Sequence, residues 1–381
     1  MQISIRSKNI LIDGKFKAAD ITIENEKIVK ISQYNSVETA IDLFERRVVP
    51  GFVDLHSDAI EKELEPRPGA KFPTKMAVIE LDKKLTMAGI TTMYHAIGFN
   101  DEELSKGRGT AQSKELIEEI YVANKAHLGV DNLIHVRFEI TSKSSLEAIK
   151  NLILEGKVDM LSIMDHSPGQ GQFKTLESWK KYHLNAYSIE DKDVEKYLER
   201  KLSQDKEGVV EDLVKFSLEH NIPVLSHDDD CEDKLNTLKA LGVTFSEFPL
   251  SIQVAKKAHE MGISTGMGAP NVVRGESQSG NIPAKELIKL GLCDYLCSDY
   301  HPASMLLSPY RLNEDVNLPL EDGFAMVCST PAKLANLTDR GEIKEGKLAD
   351  IIVIDEEHFP KVVLTFKDGE VVYNGIRGLK I

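Results

Sequence analysis

The sequence predicts a (β/α)8 barrel of the TIM type with a small β domain made by both chain ends, and three observations lead there. Apolar, strand-like runs alternate with stretches of helical period through the middle of the chain, which implies parallel βα units. Eight such runs can be counted, the number that closes a barrel. Residues of metal-ligand type stand at the ends of several of them.

The first fifty residues read as short strands: Gln2–Ile5, Asn9–Ile12, Asp20–Glu24 and Lys27–Ile31, broken by turn formers at Asp13-Gly14 and Glu24-Asn25-Glu26. The last forty return to that pattern, with Ala349–Asp355, Val362–Phe366 and Glu370–Tyr373. Residues 1–48 and 345–381 are therefore expected to form one composite β-sandwich domain, and residues 49–344 the barrel. The barrel strands are expected at Val48–Leu55, Thr91–Ile97, Leu133–Ile140, Met160–His166, Pro223–His227, Thr244–Phe248, Ser264–Met267 and Tyr295–Asp299. Helices are expected over Ala77–Ala88, Ser113–Leu128, Val194–Ser203, Val209–His220 and Ile252–Met261, the last two apolar at three-to-four-residue spacing.

At 381 residues the chain has ample length for a core, and its 41% hydrophobic and 28% charged residues are ordinary globular values. The N-terminal residues lack a signal peptide's apolar stretch, and no run is apolar over the length a membrane span needs. A cytoplasmic location and no membrane partner are expected. A net charge of −14 argues against a nucleic-acid groove, since phosphate backbones call for a cationic surface. The four cysteines, Cys231, Cys293, Cys297 and Cys328, show no paired spacing and read as reduced, mostly buried thiols.

The strand ends carry the chemistry: Asp54-Leu-His56-Ser-Asp58, then Glu139, His166, His227 and Asp299. Side chains alternate along a strand, so His56 and Asp58 point to one side and can hold one ion. A lone buried histidine is more often satisfied by the backbone than by a metal. Five strand ends each bearing a histidine or carboxylate make the metal reading the stronger one. Imidazole with carboxylate suits zinc, with manganese and iron as alternatives, and two ions fit if Glu139 bridges them.

Val49-Pro-Gly-Phe-Val-Asp-Leu-His56 resembles the first barrel strand of the amidohydrolase superfamily, and Gly341–Asp350 resembles its return to the β domain. Most of that superfamily carries a second histidine where this chain has Asp58. Asp54–Lys62, Pro66-Arg-Pro-Gly69, Met164-Asp-His166-Ser-Pro-Gly-Gln170, Ser226-His-Asp-Asp229, Gly268–Arg274, Ser279-Gly-Asn281 and Ser298-Asp299-Tyr closely resemble the PhnM family. That family comprises triphosphate diphosphatases of the bacterial carbon–phosphorus lyase pathway. His301 departs from the tyrosine expected before Pro302-Ala-Ser.

The resemblance implies a small-molecule partner, the phosphorylated sugar phosphonate α-D-ribose 1-methylphosphonate 5-triphosphate, cut to the 5-phosphate and diphosphate. The strand-end residues His56, Asp58, Glu139, His166, His227 and Asp299 are expected as ligands of one or two divalent ions, with Asp299 also accepting the water's proton, because a barrel-end carboxylate beside a cation remains ionised and close to the nucleophile. Lys62, Arg67, Arg108 and Arg274, expected in loops after strands rather than on helix faces, are the candidate phosphate binders, since guanidinium forks match phosphate oxygens. Ser279 and Asn281 belong to a glycine-containing loop able to offer backbone N–H groups. Homo-oligomerisation is compatible with this reading. Its rivals are a metal-dependent amide or amine hydrolase (a deacetylase, cyclic amidase or deaminase) and a non-catalytic scaffold. Asp58 and the cations weigh against the first, and the competent ligand positions against the second.

Overall fold

The computed structural model describes residues 2–99, 109–126, 128–165, 167, 175–177, 180, 207–277 and 280–379. Eight parallel strands pair in sequence order: Phe52–Ser57, Ile90–Phe99, Asp131–Glu139, Met160–Met164, Val224–His227, Phe245–Glu247, Ser264–Gly268 and Tyr295–Cys297. Each falls within or over one of the runs read from the sequence. Ser57 and Asp299 form a parallel bridge that brings the eighth strand back to the first.

Packing explains why these segments settle as βα units. Helix Thr74–Ala88 buries Ala77, Val78, Leu81 and Leu85, a stripe at helical spacing, and stops at Gly89, whose φ of 83° supplies the left-handed C-terminal turn. Helices Thr110–Asn124, Glu207–Glu219 and Ile252–Glu260 occupy three more expected segments, while Val194–Ser203 lies outside the described residues. The main core lies between strands and helices. Val53, Leu55, Tyr94, Met160, Leu225, Phe245 and Tyr295, drawn from strands around the barrel, pack in a second cluster with Ala332 and Ala335. Side chains from so many different strands meet only inside the barrel, so this apolar cluster is its plug.

The terminal strands form a sheet ordered Glu370–Asn374, Lys361–Lys367, Ile351–Asp355, Arg47–Pro50, Gln2–Ile12, Lys15–Glu24 and Lys27–Gln33, with Ile41–Asp42 on Gln2–Ile12. The two short N-terminal runs are one strand with an irregularity between Ser7 and Ile10. The run Val48–Leu55 is divided: Val48 to Pro50 pair with the strand Ile351–Asp355, and the barrel strand begins at Phe52. Gly51 makes that handover, because a Cβ there would lie 2.2 Å from Thr91 Oγ1. Lys367 ties the sheet to the barrel, its Nζ 3.1 Å from Asp131 and 3.3 Å from Asp350. All four cysteines are free; Cys297 and Cys328 are buried, Cys293 half-buried and Cys231 exposed. No helix among the described residues is long and apolar enough to cross a membrane.

Candidate metal centre

The chain turns sharply where three barrel strands end. Asp228, Phe248 and Asp299 each take a positive φ, 53°, 56° and 54°. Each donates its N–H across to the next strand: Asp228 to Glu247 O, Phe248 to Gly266 O and Asp299 to His56 O, all at 2.9 Å. A left-handed non-glycine residue costs on the order of 1 kcal/mol or more, most for a bulky phenylalanine. These cross-strand bonds hold the turns, which fix the side chains on either side of them.

The first strand is stitched most firmly. Ser298 N donates to Asp54 Oδ1 at 2.9 Å, Asp58 N to Asp299 O at 2.8 Å, and Ser57 Oγ to the same carbonyl at 2.9 Å. His56 therefore projects from a rigid seam. Its Nδ1 lies 2.7 Å from Glu247 Oε2, and Glu247 Oε1 accepts from Tyr295 Oη at 3.0 Å. Because the carboxylate accepts, the proton sits on Nδ1 and leaves Nε2 as a lone-pair donor. His135 repeats the arrangement: its Nδ1 lies 2.9 Å from Leu55 O, and its buried Nε2 has no hydrogen-bond partner.

His56, His135 and Glu247 place one ligand atom each within 4.8 Å of one another, all buried. The His56 ring also stands 5.1 Å from that of His135 and 5.4 Å from that of His227. Burial pushes His56 well below the usual imidazole range and His135 down to about 3, so both imidazoles are neutral at pH 7. Burial raises Glu247. Burial and the neighbouring Asp58 carboxylate push Asp299 up to about 7. An orphaned imidazole nitrogen facing crowded carboxylates is the donor chemistry a divalent cation satisfies, and the residues present fit one.

Of the residues expected from sequence, His56, His227, Asp58 and Asp299 gather at this end of the barrel. Glu139 is buried at the end of the third strand and accepts from Thr141 Oγ1 at 3.2 Å. Lys62 and Arg274 converge on Tyr300: Lys62 Nζ donates to its carbonyl at 3.2 Å and stands 4.8 Å from its ring, while Arg274 Nη1 donates to its Oη at 3.2 Å. Both sit in the last turn of short helices, Ala59–Leu64 and Ala269–Arg274, rather than in loops, because those helices follow directly on strands. Arg67 is exposed, its carbonyl accepting from Ala70 N at 2.9 Å, and Asn281 is half-buried. Arg108, His166 and Ser279 lie outside the described residues.

His135, Arg137 and Glu247 were not found by sequence reasoning. The available signal was the alternation His135-x-Arg137-x-Glu139, which puts three polar side chains on one face of one strand. His95 is accounted for structurally: its Nε2 lies 2.8 Å from Asn132 Oδ1, and Asn132 in turn reaches Asp82 on helix Thr74–Ala88.

A (β/α)8 barrel with histidine and carboxylate donors at the C-terminal ends of its strands defines the class of the amidohydrolases, and the sequence pattern of the amidohydrolase family matches residues 197–378. The chain is 31% identical over 356 residues to the α-D-ribose 1-methylphosphonate 5-triphosphate diphosphatase of Escherichia coli, covering 92% of this chain and 94% of that protein. It belongs to that enzyme's family, PhnM, within the amidohydrolase superfamily. An adenine deaminase of Clostridium perfringens is 24% identical over 100% of this chain and 60% of its own length. Among solved structures, an N-acetyl-D-glucosamine-6-phosphate deacetylase of Mycobacterium smegmatis superposes with a TM-score of 0.66 at 14% identity, covering 98% of this chain and 100% of the other. A D-hydantoinase gives 0.63 at 15%, covering 98% and 96%. These two likenesses are of fold.

Proposed function

We propose that the protein hydrolyses α-D-ribose 1-methylphosphonate 5-triphosphate to the 5-phosphate and diphosphate, as part of phosphonate breakdown. The observation that carries this beyond the family's hydrolase chemistry is the pair of cations, Lys62 and Arg274, bracketing Tyr300 beside Asp299. A neutral amide needs no such pair, whereas a triphosphate must have its charge met where the bond breaks. The E. coli relative supplies the substrate's identity.

His56, Asp58, Glu139, His166, His227 and Asp299 are the proposed ligands, joined by His135, with Glu247 holding His56 from behind. When bound, a divalent ion, zinc or alternatively manganese or iron, singly or as a pair, supplies Lewis acidity that lowers the pKa of a water from about 15.7 towards 7. Asp299 would accept the attacking water's proton, its backbone held at the closure seam and its carboxylate kept ionised beside the cation. Lys62 and Arg274 hold the oxygens of the departing diphosphate. Ser279 and Asn281 border the same segment of chain as Arg274, and Arg67 and Arg108 complete the set of candidate phosphate contacts.

The test is diphosphate release from the ribose methylphosphonate triphosphate and from ATP, by protein loaded separately with zinc, manganese and iron. Rapid release from the phosphonate compound, with KM raised in Lys62→Ala and Arg274→Ala, is expected. No diphosphate with confirmed metal occupancy would reject the reading. The match to an adenine deaminase, over 100% of this chain and 60% of that protein, then favours the amine-hydrolase alternative, assayed by ammonia release.

A further inference from the structure

The third barrel strand, Asp131–Glu139, carries an arginine where a barrel interior has little use for one. His135 identifies which face looks inward, since its Nδ1 reaches Leu55 O on the first strand and its ring meets that of His56. Alternation puts Arg137 on that same face, one step above His135 and one below Glu139. Its charge bears on His56, His135, Glu247 and Asp299, residues of four different strands and their ends, so the guanidinium looks into the site.

Among the described residues the half-buried Arg137 side chain makes no hydrogen bond or ion pair, and its Nε is buried without a partner. Two other described arginines withdrawn from solvent are supplied with acceptors. Arg6 meets Asp20, Asn35 and the Val37 carbonyl. Arg340 meets Asp131, Asp339 and Thr92. A buried Nε–H without an acceptor is costly, and the guanidinium's five N–H donors in a fixed fork match the oxygens of a phosphoryl group.

We propose that Arg137 is the inner anion receptor of the site and binds the phosphoryl group of the departing diphosphate that lies against the metal donors, while Lys62 and Arg274 hold the diphosphate's outer oxygens at the rim. This rests on the triphosphate reading of the same site. The missing acceptor is then the substrate itself, and the guanidinium meets charge on phosphoryl oxygens as the water's oxygen bonds to phosphorus and the bond to the departing diphosphate breaks.

The experiment is calorimetric titration of inorganic diphosphate into metal-loaded wild-type protein and the Arg137→Met and Arg137→Lys variants, with metal content and thermal midpoint measured alongside. Arg137→Met is expected to weaken diphosphate binding about 10-fold or more, with metal content unchanged and the thermal midpoint held or raised. Arg137→Lys keeps the charge but not the fork and should fall between. Ethylguanidine added to Arg137→Met should restore part of the binding. Undiminished diphosphate affinity in a folded Arg137→Met protein overturns the proposal, as does a lowered midpoint with lost metal, which would make the residue structural. Should Arg137→Met not fold, wild-type affinity in Arg137→Lys is the overturning result. Weakened diphosphate binding in a protein that releases no diphosphate from the sugar triphosphate leaves the anion receptor standing and removes only the substrate reading.

Discussion

His56 and Glu247, 191 residues apart in sequence, meet at 2.7 Å with both side chains almost wholly enclosed. The contact fixes the imidazole's tautomer and rotation from behind, in the manner of carboxylate–histidine–metal arrangements. Replacing Glu247 with Gln keeps the volume but can present an N–H to Nδ1, favouring the wrong tautomer. Metal affinity measured by chelator competition is expected to fall about 10- to 100-fold. An unchanged affinity would mean that His56 is held by the seam alone.

Tyr295 holds Glu247 in turn, and Gly266 makes room for Tyr295. A Cβ at Gly266 would stand 2.2 Å from Tyr295 Cζ and 2.6 Å from both Cε atoms. Overpacking of this kind costs about 1–3 kcal/mol. Gly266→Ala is expected to lower the thermal midpoint and, by pushing the phenol off Glu247, to weaken metal binding without altering a ligand. Tyr295→Phe separates the effects: it removes the hydrogen bond and keeps the ring. If Gly266→Ala binds metal as wild type does while Tyr295→Phe does not, the ring moves without dragging the carboxylate.

The barrel was legible because parallel strands buried on both faces read as apolar runs, and all eight show in the sequence. His56, His227 and Asp299 were legible because they terminate such runs. His135 and Glu247 were not, since neither is the last residue of its run, and a polar residue inside a strand gives no sign of whether it faces the helices, as His95 does, or the barrel axis, as His135 does. Only the ring contact and the reach to Leu55 O decide that. The positions of Lys62 and Arg274 were readable, but their meeting at Tyr300 depends on two helices too short to leave a periodic pattern.

Asp299 combines a left-handed backbone, a carbonyl that takes two donors from the first strand, and a carboxylate beside Asp58. Asp299→Asn keeps the shape and the backbone bonds but cannot accept a proton. Turnover is expected to drop about 10²- to 10⁴-fold, the range for a lost general base. Metal analysis of the same sample shows whether the side chain also binds the ion: full occupancy with lost turnover leaves the proton role alone. Turnover near wild type would exclude Asp299 as the base.

Away from the metal centre, Asp350 lies where the terminal sheet meets the barrel, facing Lys367, Arg340 and Asp368, and burial pushes its carboxyl up to about 6 from an ordinary 3.8. Since the folded value lies above the unfolded one, the native state keeps a proton that the unfolded chain has already lost between those limits. This group's contribution to stability is therefore greatest below about pH 4 and declines as pH rises to about 6. The two-unit difference corresponds to about 3 kcal/mol. Asp350→Asn lacks the titration, while Lys367 retains Asp131 at 3.1 Å and Asp368 at 2.6 Å. The difference in thermal midpoint between wild type and Asp350→Asn, scanned at matched rates from pH 4 to 7, should therefore move against the wild type as pH rises. A constant difference, or one moving the other way, would show that Lys367 and Arg340 outweigh burial and hold Asp350 ionised throughout.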